Sequence, residues 1–73
     1  MENIVLAAIE KLIGERKARS RYPLTVLRSE LIAELRDMSA DNIDQATASL
    51  ASLGQIKLSS SINEVLFMLP PKL

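Results

Sequence analysis

Three carboxylates come closest to a reactive arrangement in this chain. Glu30, Glu34 and Asp37 follow one another at intervals of four and three residues, which puts them on one face of a helix. Neighbouring carboxyls whose pKa values are pushed apart can do acid–base work. Nothing else in the chain supports that chemistry. There is no His and no Cys, and the two glycines, Gly14 and Gly54, stand forty residues apart, so a glycine-rich phosphate loop is missing as well. Without His or Cys there is neither a disulfide nor a standard zinc site. The three carboxylates are therefore read as the solvated back of an amphipathic helix. The expectation is a non-enzymatic protein with no catalytic residue, cofactor, metal or small-molecule substrate.

Charges suited to binding fall into two groups. Arg16, Lys17, Arg19 and Arg21 form the one basic run and are a candidate patch for phosphates or an acidic partner, with Arg28 and Lys57 elsewhere. Cations at the end of a helix also complement its dipole, a purely structural use of the same residues. The second group is acidic. Asp41 and Asp44 lie near the start of a third helical segment, whose outward arc reads Asp41, Asp44, Gln45, Ala48, Ser49 and Ser52. Over the chain, nine basic and nine acidic residues cancel, so bulk charge calls for neither nucleic acid nor an anionic membrane.

These groups need elements to position them, and 73 residues suffice for one domain spanning 1–73. The apolar fraction is 48% and mostly aliphatic, more than a thin core accommodates easily, so self-association or a partner is expected to bury the excess. Val5, Leu6, Ala8, Ile9, Leu12 and Ile13 fill one broad arc of a first helix. Ile4, Leu6 and Ile13 at the edges of that arc are a candidate association surface. Lys11, Glu15 and Arg19 supply i,i+4 pairs on its outer side. Tyr22-Pro23 ends the segment. Leu24-Thr25-Val26 is either a strand stub or the entry to the second helix, which runs from about Leu27 to Met38 with Leu27, Leu31, Leu35 and Met38 on one face. Ser39 suits an N-cap, Ile43, Ala46, Thr47, Leu50 and Leu53 point inward, and Gly54 suits the C′ position. The period then changes. Gln55 to Ser59 alternates, Ser60 to Asn63 makes a polar turn, and Glu64 to Leu69 returns as a second strand stopped by Pro70-Pro71. Phe67 or Ile62 is expected to leave the hairpin partly exposed. The start of the chain lacks the basic opening of a signal peptide and no run has the length of a membrane span, so a cytoplasmic protein is expected.

Helix, stub, helix, tight turn, helix and hairpin, in that order, resemble a winged helix-turn-helix domain. The segment Leu50-Ala51-Ser52-Leu53-Gly54-Gln55-Ile56 is similar to that family's exit from its third helix: two leucines anchor the helix, a glycine turns the chain, and the Ile enters the core from the first wing strand. Leu31 to Ser39 resembles the elbow of the helix-turn-helix. The resemblance implies an α+β fold, a three-helix winged helix with a C-terminal two-stranded β-hairpin as its wing.

It also implies DNA as a partner, as a transcriptional or mobile-element regulator whose third helix enters the major groove. The residues argue against that role. The outward arc of the third helix has two aspartates and no Lys or Arg, so it lacks the commonest guanine contact and repels phosphate. Protein association, with a second copy or another chain, is placed ahead of DNA.

Overall fold

The computed structural model describes residues 2–20, 24–60 and 64–70. The chain is α+β. Helix α1 (Glu2–Ala18) leads through strand β1 (Val26–Leu27) into helix α2 (Arg28–Glu34). Helix α3 (Ala40–Ser52) follows, then strands β2 (Lys57–Ser60) and β3 (Val65–Met68).

Helices α1 and α2 pack against the sheet, and α3 packs against α1. Val5, Ala8, Ile9 and Ile13 of α1, Leu31 of α2, and Ile43, Ala46 and Leu50 of α3 form one continuous core with Val26, Ile56 and Phe67. The i, i+3, i+4 spacing of the α1 and α3 members is what turns them to a common side. Gly14 does not interrupt α1, which continues for another turn past it. Ser39 caps α3 as its residue type allows, its Oγ accepting from the Asn42 N–H at 3.2 Å. At the other end the Gln55 N–H donates to Leu50 O at 2.9 Å and the Gly54 N–H to Ala51 O at 3.0 Å. This pair of bonds closes a Schellman turn, and Gly54 adopts the required left-handed backbone at φ 75°.

The expected two-stranded hairpin is part of a larger sheet. Three antiparallel strands lie in the order β1-β3-β2, because the stub at Val26–Leu27 pairs with Phe67 and Leu66 on the free side of β3. Strand β2 pairs with the other side, Lys57 opposite Met68, Leu58 opposite Phe67, Ser59 opposite Leu66 and Ser60 opposite Val65. With β1 on one side and β2 on the other, Phe67 is central and only 2% exposed, against the expectation of partial exposure. Ile62, most of the polar turn (61–63) and Tyr22-Pro23 lie outside the described residues.

Two further expectations are corrected. Helix α2 ends at Glu34 rather than near Met38. Leu35 and Met38 still pack against the core, but from a turn closed by Met38 N donating to Leu35 O at 2.9 Å. Continuing the helix would set Asp37 against the negative end of its dipole. Leu53 does not point inward: it is 64% exposed. The apolar period runs on to Leu53, but the helix reaches its C-cap there and no described element covers that position.

Candidate interaction surfaces

The carboxylates of α2 turn out to be structural. Arg16 of α1 reaches across to Glu30 Oε2 and also donates to the Thr25 carbonyl oxygen, while Glu30 Oε1 accepts from the Leu27 N–H at 3.1 Å. One turn away Lys11 pairs with Glu34. The expectation of a solvated back fails for Glu30, which is partly buried against α1, and holds for Glu34 and Asp37, which stay exposed although Glu34 pairs with Lys11. Partial burial works to raise the Glu30 pKa, but the Arg16 hydrogen bond, the Leu27 N–H and the Arg16 charge outweigh it, and the net shift is downward. Lys11 is held protonated by its hydrogen bond to Glu34. General acid catalysis needs a carboxyl shifted upward, the reverse of Glu30. The i,i+4 attraction expected between Lys11 and Glu15 persists but is secondary to this contact with α2.

The basic run is divided by the same geometry. Arg16 is half-buried and committed to α2. Lys17 and Arg19 are exposed, and Arg21 lies outside the described residues. Arg16 and Arg19 lie together beside Glu15 and Glu30, while Lys17 lies beside Gly14 and Leu24.

On α3, Asp41, Gln45, Ala48 and Ser52 are exposed and Asp44 and Ser49 half-exposed. Asp44 is not free. Its two carboxylate oxygens accept from Arg28 Nε at 2.8 Å and Nη2 at 2.9 Å, a two-pronged pair that ties α2 to α3. The Arg28 hydrogen bond lowers the Asp44 pKa, and Asp44 raises that of Arg28. Arg28 is thereby paired within the chain. Glu64 adds a third link, accepting from the Ser29 N–H at 3.0 Å.

Of the candidate association residues on α1, Ile4 is exposed, Leu6 is half-buried against the core, and Ile13 is 6% exposed. Ile13 is thus corrected from surface to core, because the return of β3 and the approach to β1 fill the side of α1 that a lone helix would leave bare. Among the described residues the exposed large aliphatics are Ile4, Leu53, Leu58 and Val65. The last two were not foreseen, since alternation marks a strand's faces without showing where its cover stops. A groove unseen in the sequence opens beside Gly14 of α1, lined by Ile13, Leu24, Leu69 and Pro70. Among the described residues no helix is long and apolar enough to cross a membrane.

Comparison with known proteins returns no matching family model, no matching curated protein and no matching solved structure.

Proposed function

We propose that this chain is a non-enzymatic winged-helix module that works by protein association. The element order and the β1-β3-β2 sheet support the winged-helix reading. The observation that carries the functional reading is the outward face of α3. It presents Asp41, Gln45, Ala48 and Ser52 with no cation, and the neighbouring Arg28 is already paired with Asp44. Duplex DNA is held largely by cations that displace its counterions, and a major-groove helix commonly adds arginine contacts to guanine. A surface of one carboxylate among small, uncharged side chains suits the close approach of another protein instead.

DNA remains the second reading on one observation: Lys17 and Arg19 are exposed at the end of α1. A salt-titrated mobility shift on random duplex DNA separates the two. The parent is expected not to bind even at low salt. Asp41→Lys with Gln45→Lys adds two cations to the α3 face without touching the Arg28–Asp44 pair, and is expected to create weak, salt-sensitive binding. Tight binding by the parent with a steep salt slope overturns the protein-association reading.

A further inference from the structure

Strand β2 is an edge. It pairs with β3 on one side, and among the described residues no strand pairs with it on the other. An open edge offers a row of backbone N–H and C=O groups that another strand can complete. Proteins blunt such edges with prolines, bulges or charges. Lys57-Leu58-Ser59-Ser60 has one lysine and no proline. Leu58 lies opposite Phe67 and so shares the core side of the sheet, yet Leu58 is 49% exposed. Val65, diagonal to it on the same side, is 37% exposed. The apolar side of the sheet thus runs past its helical cover at the β2 edge.

We infer that β2 pairs antiparallel with β2 of a second copy, about a two-fold axis through Leu58, joining two sheets into one of six strands. This rests on the protein-association reading and names the partner. The strand's own sequence selects the axis. A two-fold perpendicular to the sheet keeps core side with core side, so it passes through a residue rather than between two. Through Leu58, it sets that side chain beside the partner's Leu58, with Cβ atoms about 5 Å apart. Lys57 then falls opposite the partner's Ser59, and Ile56 opposite the partner's Ser60. An axis through Lys57 would oppose two lysines, and one through Ser59 would set each leucine against a serine. Zero net charge leaves no long-range repulsion between copies. The contact is short, which places the dimer in the range of about 10 μM to 1 mM.

Sedimentation equilibrium on the parent, Leu58→Lys, Leu58→Asp and an equimolar mixture of the two variants tests the pairing. Thermal melting checks that both variants fold, as expected for a side chain already half in water. Each variant sets like charges across the axis and is expected to raise the dimer Kd about tenfold or more. The mixture sets opposite charges there and is expected to restore dimer. A mixture that associates no better than either variant alone overturns the inference, as does a parent that stays monomeric at about 1 mM. Ala48→Glu on α3 is the control. If it abolishes the dimer while the Leu58 variants do not, association lies on α3, which overturns the β2 pairing and leaves the protein-association reading in place. A monomeric parent that shifts random duplex DNA overturns both.

Discussion

The seam between α1 and α2 and the exposed faces of α3 and β2 use their side chains differently. At the seam, Arg16 and Lys11 face Glu30 and Glu34, and each charge is met by its opposite. On those outer faces Asp44 is paired with Arg28, Asp41 of α3 and Lys57 of β2 stand exposed, and with them lie Ala48, Ser52 and the uncovered Leu53 and Leu58. The seam has settled its charges within the chain. The outer faces keep little charge and some apolar area, which favours a partner of similar polarity over a polyanion. A basic run in a sequence therefore gives a poor measure of the cations a fold leaves available, because the half-buried Arg16 serves the interior.

The largest expected effect separates core from surface within a single helix end. Leu50 is buried, and Leu50→Ala should destabilise by about 2–5 kcal/mol, the range for emptying a packed site. A domain of this length has little more stability than that. Leu53→Ala, three residues on, should stay within about 0.5 kcal/mol of the parent, because its side chain is already in water. Urea unfolding of both variants checks the contrast. Equal losses would mean that Leu53 is covered in solution, by a second copy or otherwise.

That pair also marks where the sequence was readable. The α3 cap at Ser39, its turn at Gly54 and the inward Ile43, Ala46 and Leu50 follow from local spacing and residue type, and all appear as expected. Leu53 obeys the same spacing and differs only in what lies next to it, which spacing does not contain. The ion pairs were illegible for a related reason. Lys11–Glu34, Arg16–Glu30 and Arg28–Asp44 join residues 23, 14 and 16 positions apart, whereas helical periodicity ranks only neighbours three and four apart. The stub at Val26–Leu27 was ambiguous because a two-residue strand has no period to read. It is a strand because β3 offers it an edge.

At the seam a smaller effect is expected. Glu30→Ala removes the partner of a half-buried guanidinium and the acceptor of the Leu27 N–H, and should destabilise by about 1–2 kcal/mol after allowing for partial exposure. Lys11→Ala breaks an exposed pair and should leave the urea midpoint unchanged within error. Glu30 at the seam and Asp44 on α3 together set an acid dependence. Glu30 and Asp44 both have folded pKa values below their ordinary ones, so each contributes stability above the unfolded carboxylate pKa of about 4. That contribution is lost as pH falls from there through the lower folded values. The Glu30→Ala variant should show a shallower loss of stability in this window. A parent whose stability is flat from neutral pH down through that window would show that neither pair matters in solution.

The smallest expected effect concerns the two helix ends, one on each side of the comparison. Both close with an N–H donating three residues back, Gly54 to Ala51 O at 3.0 Å and Ser20 to Lys17 O at 3.1 Å. Both need the left-handed backbone, at φ 75° and 54°. Glycine adopts that region without strain, whereas a residue with a Cβ meets a penalty on the order of 1 kcal/mol. Gly54→Ala should accordingly destabilise by about 1 kcal/mol through the backbone alone, since nothing lies within 4 Å of the position its Cβ would take. Ser20→Gly runs the other way. It relieves the strain at the end of α1 but adds freedom to the unfolded chain, so the net gain should be nearer 0.5 kcal/mol. The substitution leaves Lys17 and Arg19 in place and holds the helix end that carries them more firmly. If DNA were the partner, those two cations would be its phosphate contacts, and a firmer helix end should strengthen binding. A higher melting temperature with DNA binding still absent would therefore assign Ser20 to the stability of α1 alone.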